Sequence, residues 1–386
     1  MVNIPEDRPS RFVSITHNQQ RYIVFADDII RHFLPRYWQE EISEKAYSFK
    51  ITRDADLDLQ DEFEGDLAEK IEKQLVSRDM GFATRLLYDP ALPENWLQGI
   101  IRLFGLTKAS IMQGGRYHNL KDLAQMPLSD AKYNNPAWPS AKKQLPSATS
   151  LLEHLKYHDV LLNTPYEDYA CVLRFFNEAA THPQVKEIWI TMYRIAGDSK
   201  IGSALITAAL NGKQVTVFVE LKARFDEANN LNWARRMKAA GIRIVYSIPG
   251  LKVHAKVALV KLQERGQTRY AGIFATGNFN ERTARFYTDH VLMTTRPAML
   301  KELESLFYFL TKRRKPDKPD ELKFGELLVA QFNLASRFKH LINQEIENAR
   351  AGRKAAIRIK LNNLEVTPAW LTYFILLPTP AYKYSC

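Results

Sequence analysis

Cysteine is almost absent. Cys171 and Cys386 are the only two in 386 residues, too few for a disulfide framework or a cysteine-built metal cluster. A reducing compartment fits that usage. Long apolar runs are missing as well, since no stretch approaches the roughly 20 residues that span a bilayer. The opening "MVNIPEDRPSRFVSI" has neither the basic region nor the apolar stretch of a secretory signal. The expectation is a cytoplasmic protein with no integral membrane segment, at most peripheral to a membrane. Acidic charge is in short supply: 43 Asp and Glu face 54 Lys and Arg, a net charge of +11. Such an excess favours polyanionic partners, among them nucleic acid, nucleotide, polyphosphate and anionic lipid.

One apparent metal motif fails on inspection. Asp54, Asp56 and Asp58 have calcium-loop spacing, but Leu59 replaces the turn glycine and Gly65 stands where the bidentate glutamate belongs. An acidic strand edge and helix face account for these residues better.

With 46% hydrophobic residues the chain can bury two or three cores. Residues 1–145 read as an irregular α+β section containing "RYIVF", "KAYSFKITR" and the acidic helical "LQDEFEGDLAEKIEKQL". The segment "MPLSDAKYNNPAWPSAKKQLPSATS" then marks a boundary. From 146 to 320 strands alternate with helices: "EIWITMYR", "KIGSALITAALNG" capped by Ser199, "QVTVFVELK", "NNLNWARRMKAAG" and "IRIVYSI". That alternation predicts an α/β fold with a mixed, largely parallel sheet and flanking helices. "PGLKVHAKVALV" reads as a further strand, with Lys252, His254, Lys256 and Ala258 on one face. After the charged linker "KRRKPDKPDE" a long helix is expected from "LKFGELL" to "NARAG", then a strand in "AAIRIKLNNLE". Residues 321–365 thus begin another domain. The tail 366–386 changes character abruptly, with three prolines around a short apolar run too short to span a membrane.

In open α/β sheets ligands bind beyond the carboxyl ends of the strands. Arg194, Arg224 and His254 fall at or beside such ends, about one βαβ unit apart, and could surround one anion. The set suits phosphoryl transfer. An imidazole can hold a phosphoryl group covalently, and two guanidinium groups can clamp its oxygens. Lys256 adds a point charge, and Mg²⁺ would bridge nucleotide phosphates. The loop "TGNFNERTARFY" offers Asn278 and Asn280 as amide donors and Tyr287 for a base. Each residue has a plainer reading too: His254 as a strand-end packing residue, the arginines as ion-pair partners of Glu220, Asp226 or Glu227, and Tyr287 as packing.

"HAK" followed by "TGNFN" resembles the H-x-K half-site of the phospholipase D superfamily, except that Lys261 stands where that pattern has an aspartate. "TPYEDY", "TMYRIAGDSKI", "VTVFVELKARFDEANN", "GLKVHAKVALV", "TGNFNERTARFYTDH" and "IRIKLNNLE" together resemble the bacterial polyphosphate kinases with phospholipase D-like catalytic domains. The likeness runs from the first residues to about Glu365. It implies reversible transfer of the ATP terminal phosphate to polyphosphate, with ATP/ADP and polyphosphate as partners, Mg²⁺ as cofactor, no nucleic acid, and a homo-oligomer. By the same likeness His254 becomes the phosphohistidine, Lys256 assists, Arg194 and Arg224 form the magnesium–phosphate site, and Tyr287 and Asn278 contact ATP or phosphate. Residues 1–145 would be part of a dimerisation-type head domain, 146–320 the first catalytic domain, and 321–365 the start of the second. An amino-terminal domain and most of the second catalytic domain would be missing, so impaired turnover is expected. The likeness breaks at Val366, which implies that the tail 366–386 is an aberrant stretch left by a frameshift or premature end. Two alternatives differ in class: a catalytically dead polyanion-binding or dimerising fragment, and a phospholipase D-type phosphodiesterase.

Overall fold

The computed structural model describes residues 1–2, 4, 11–37, 46–53, 83–128, 133–136, 139–145, 149–221, 223, 226–246, 248, 251–316 and 322–359. The chain divides into two compact units, Met1–Ser140 and Ala141–Cys386. The acidic stretch at 59–75, its aspartate series, Arg224 and the tail 366–386 lie outside the described residues.

In the first unit β1 (Phe12–His17) and β2 (Gln20–Phe25) form a hairpin. Its turn residues Asn18 and Gln19 have φ of 48° and 63°, the left-handed values that a two-residue hairpin turn requires. Helix α1 (Ala26–Tyr37) follows. β3 (Phe49–Arg53), β4 (Ala83–Tyr88) and β5 (Ser110–Gln113) make a second sheet, with helix α2 (Glu94–Leu103) between β4 and β5. Leu86, Leu92, Leu97 and Leu106 form its core.

The second unit is built on seven strands: β6 (Val160–Thr164), β7 (Val185–Met192), β8 (Gln214–Val219), β9 (Arg243–Tyr246), β10 (Lys256–Glu264), β11 (Gln267–Ala275) and β12 (Asp289–Thr294). Their spatial order is β6-β12-β11-β10-β7-β8-β9. The expected βαβ units are present. Helix α4 (Lys200–Leu210) joins β7 to β8, helix α5 (Glu227–Ala239) joins β8 to β9, and both pairs are parallel. Ser199 Oγ accepts from Gly202 N at 3.0 Å to cap α4, which stops before Gly212 at φ 76°.

The sheet is mixed, but it is not largely parallel. The other four of its six pairings are antiparallel. The reason is local: Arg265 and Gly266 have φ of 49° and 80°, a tight turn that folds β11 straight back onto β10. Side chains of alternate parity cover both faces. Trp189, Phe218, Val257 and Leu259 pack against Leu300, Leu303 and Phe307 of helix α6 (Pro297–Leu310). Ile188, Ile190, Val217 and Ala258 are buried on the other parity, on which helix α3 (Ala170–Thr181) contributes Val172, Phe175 and Phe176 to the interior.

Two further expectations change. The long helix after the linker begins only at Ala335, as helix α7 (Ala335–Arg350) after a π turn at Ala330–Leu334. Asn333 is the reason: its side chain donates to Phe324 O and Leu327 O at 3.1 and 2.9 Å and accepts from Val329 N at 2.8 Å, which holds the preceding residues out of helical register. Residues 355–359 are not in a strand. Ala356 N donates instead to Glu345 Oε2 of α7 at 2.9 Å.

Candidate active site

Strand directions bring the site together at one edge of the sheet. β10 runs against β7 with Ala258 opposite Ile190, so its first residue, Lys256, lies beside the end of β7. β11 pairs Ala275 with Lys256 and delivers the loop Thr276–Asn280 to the same place. Asp289, first in β12, is opposite Thr164, last in β6. β8, parallel to β7, ends there as well.

His254 is not on a strand, as "VHAKVALV" suggested; β10 starts at Lys256. Side chains replace the ladder just before it. Val253 N donates to Glu220 Oε2 at 2.9 Å, Thr191 Oγ1 donates to Ala255 O at 2.7 Å, and Val257 N donates to Thr191 Oγ1 at 3.1 Å. The segment is pinned while His254 remains exposed. Lys256 differs: it is buried, only 5% exposed.

One ring organises the charges. The Tyr193 ring meets the His254 ring edge-on, centroids 4.8 Å apart at 79°. Lys256 Nζ lies 5.0 Å from its centroid and the Arg194 guanidinium 5.9 Å, both within cation–π range. Lys256 also donates to His254 O. Partial desolvation pushes the His254 imidazole below its ordinary pKa although the residue stays exposed, and the charges of Lys256 and Arg194 push the same way. That direction favours the neutral form of the ring. Burial likewise lowers Lys256 to about 8, with Asp289 opposing and Arg194 reinforcing the shift.

Arg194 takes the plainer role without losing the other. Its Nε pairs with Asp226 Oδ2 at 3.2 Å, yet its side chain stays 44% exposed. Burial raises the Asp226 carboxyl, with Arg194 pulling it back. Asn280 holds backbone: its Nδ2 donates to Arg194 O at 3.2 Å, and its Oδ1 accepts from Arg282 N and Thr283 N at 3.0 and 3.1 Å. Asn278 Oδ1 is buried with no hydrogen-bond partner among the described residues, so Asn278 keeps an acceptor in reserve. Tyr287 precedes β12, 58% exposed, with its ring 4.9 Å from that of Phe286. Its carbonyl accepts from Thr164 Oγ1 at 3.3 Å.

His254, Lys256 and Arg194 are thus brought together, with the Asn278 loop and Tyr287 delivered to the same edge. Three contributors were not singled out in the sequence. Tyr193 was visible only as the middle of "MYR", Thr191 as a polar residue in an apolar strand, and Asp289 as the start of one. Lys261 lies five residues beyond Lys256, an odd step along a strand, and pairs with Glu187 and Glu304 at 2.9 and 2.6 Å, away from the site.

No group of three His, Cys, Asp or Glu side chains suited to a metal occurs among the described residues. The edge is cationic, and its carboxylates already have partners. The described side chains therefore offer a magnesium ion no ligand set of their own, and one could enter only carried on phosphate oxygens and water. No helix among the described residues is long and apolar enough to cross a membrane.

The fold and edge define an α/β protein with an exposed histidine set among cations. Comparison identifies its family. Models of the polyphosphate kinase middle domain, C-terminal domain 1 and C-terminal domain 2 match residues 1–126, 150–316 and 327–368. Polyphosphate kinases of Vibrio vulnificus strain YJ016 and Escherichia coli K12 are each 35% identical over 376 residues, 94% of this chain and 53% and 54% of those proteins. The crystal structure of polyphosphate kinase from Porphyromonas gingivalis matches with a TM-score of 0.70 and 36% identity, covering 96% of this chain and 55% of that one. The chain belongs to the polyphosphate kinase family and spans about half the length of the relatives it matches.

Proposed function

We propose that this chain carries the nucleophile half of an enzyme that transfers the terminal phosphate of ATP reversibly to polyphosphate. The observation that supports it best is the His254 imidazole beside Lys256 and Arg194 around Tyr193. A ring nitrogen of His254 attacks the γ-phosphorus, forming an N–P bond as the bond from phosphorus to the ADP oxygen breaks. A terminal oxygen of polyphosphate then attacks the same phosphorus, and the N–P bond breaks. Lys256, Arg194 and Arg224 neutralise the phosphoryl oxygens, the Asn278 amide N–H groups orient them, and Tyr287 contacts the nucleotide. Magnesium, when bound, supplies further charge neutralisation on the phosphates. The proposal includes impaired turnover by this chain alone, which spans about half the length of the polyphosphate kinases it matches. Self-association belongs to the same proposal and is read by sedimentation velocity.

Incubation with γ-labelled ATP and magnesium tests it. Acid-labile, base-stable label on the protein, lost in His254→Ala, is the expected result; label that persists in that variant removes His254 as nucleophile. The +11 charge supports a second reading, polyanion binding without turnover. That reading predicts steeply salt-dependent binding, indifferent to His254→Ala, and no label.

A further inference from the structure

Asn230, in the first turn of α5, is 0% exposed. Its Nδ2 donates to Tyr193 O at 2.8 Å and to Glu220 O at 3.0 Å, and its Oδ1 accepts from Ile195 N at 3.2 Å. The first and last of these bonds fall on the residues immediately before and after Arg194. Asn229 Nδ2 adds a bond to Ile195 O at 2.7 Å, and Asn280 Nδ2 takes Arg194 O itself at 3.2 Å. The second Nδ2 bond reaches the end of β8, where Glu220 turns its carboxylate to Val253 N, one residue short of His254.

The chemistry explains the residue type. Where β7 and β8 end, backbone groups lose their ladder partners, and buried ones must find others. Two carbonyls and one N–H have to be met from one point. A carboxamide supplies two donors and an acceptor; a carboxylate would offer no donor.

We infer that Asn230 is a positioning residue of this site: it fixes the backbone on both sides of Arg194 and, through Glu220, the approach to His254. The inference rests on the phosphate-handling reading above. A purely structural asparagine would make the same bonds, so the test must ask whether its effect runs through Arg194.

Affinity for inorganic triphosphate, measured calorimetrically, needs no turnover. The proteins are the unmodified chain, Arg194→Ala, the neutral variants Asn230→Ser and Asn280→Ser, and each serine variant combined with Arg194→Ala. Asn280→Ser removes the donor to Arg194 O while its hydroxyl can still accept from the loop N–H groups, so it decides the matter should Asn230→Ser not fold. Each serine variant is expected to weaken binding by about tenfold, the scale of a small displacement in a clamp. In the Arg194→Ala background the same substitutions should cost less than about twofold, because coupled residues are not additive. Undiminished affinity in the single variants, or losses that multiply in full, would overturn the inference alone. Absence of triphosphate binding by the unmodified chain would instead overturn the phosphate reading and the inference with it.

Discussion

The ammonium of Lys256 donates a hydrogen bond to the backbone carbonyl of His254, two residues upstream. The cation is therefore tied to the backbone that carries the histidine. Tyr193 lies against both side chains, and Thr191 fixes the residues on either side of Lys256 through Ala255 O and Val257 N. A lysine buried this way pays no ordering entropy when an anion arrives. Its charge is set before binding by burial, Asp289 and Arg194.

That setting predicts that anion binding will depend on pH. Lys256 titrates at about 8 in the folded protein, and an anion beside it favours the protonated form. Triphosphate affinity should fall as pH rises through about 8, and Lys256→Met should flatten that step. Stability moves oppositely. The unfolded lysine titrates near 10.4, so between the two values the unfolded state binds more protons and stability rises with pH. Denaturant titrations from pH 7 to 10 should show this rise in the unmodified chain and lose it in Lys256→Met. Identical profiles would mean that Lys256 is not so perturbed.

Asp289 opposes the shift in Lys256, and its place is narrowly made. Thr276 Oγ1 donates to its Oδ1 at 2.8 Å. A Cβ on Gly277 would stand 2.2 Å from its Oδ2, so that glycine keeps the space the carboxylate fills. Asp289→Asn removes the opposing charge. The pH midpoint of triphosphate affinity should then move to a value below 8, and Gly277→Ala should move it the same way by displacing the carboxylate. A midpoint unchanged in Asp289→Asn would separate Asp289 from Lys256.

How far the site could be read from sequence depends on what holds each residue. The βαβ units around β7, β8 and β9 were legible because apolar strands, a serine cap and terminal glycines agree. His254, Lys256 and Arg194 were legible as polar residues at strand ends. The Arg265–Gly266 turn, which makes the hairpin antiparallel, was overshadowed by the βαβ rhythm before it. Tyr193 and Asn230 were not legible as site residues, because their roles lie in contacts between strand ends far apart in sequence. Nor does periodicity reveal that Asn333 keeps residues 324–329 out of a helix.

Lys261 makes a separate stability prediction. It is 6% exposed, pairs with Glu187 and Glu304, and donates to Tyr308 Oη at 3.2 Å. Burial works against its charge, but Glu304, Glu187 and Tyr308 together raise its pKa above the ordinary lysine value. Lys261→Ala leaves two carboxylates facing each other without their cation. Both remain partly exposed, so the expected loss is about 2–3 kcal/mol, below the full cost of breaking a buried pair. Urea denaturation reads it, and a loss under about 0.5 kcal/mol, the scale of an ordinary surface substitution, would count against the role.

Glu302 fastens the segment that follows the linker. From α6 its Oε1 accepts from Gly325 N and Glu326 N at 2.7 and 3.1 Å, and its Oε2 from Leu327 N and Glu326 N at 2.8 and 3.2 Å. Three successive N–H groups converging on one carboxylate form an anion-binding nest. Burial alone would raise the Glu302 carboxyl, but the bonds from Leu327, Gly325 and Glu326 together hold it below its ordinary pKa. Phe332 packs edge-on against Phe309 of α6 and Phe324, centroids 5.3 Å apart in both pairs, so the polar latch lies over an aromatic one. Glu302→Gln keeps one acceptor and loses the charge, and Glu302→Ala loses both. Amide exchange at Gly325, Glu326 and Leu327 should quicken about tenfold in the first and more in the second, with the β10 amides unchanged. The latch should hold above the unfolded glutamate pKa near 4.3 and weaken as pH falls through the lower folded value. Exchange at those three amides that matches the unmodified chain in Glu302→Ala would show that the aromatic contacts hold the segment by themselves.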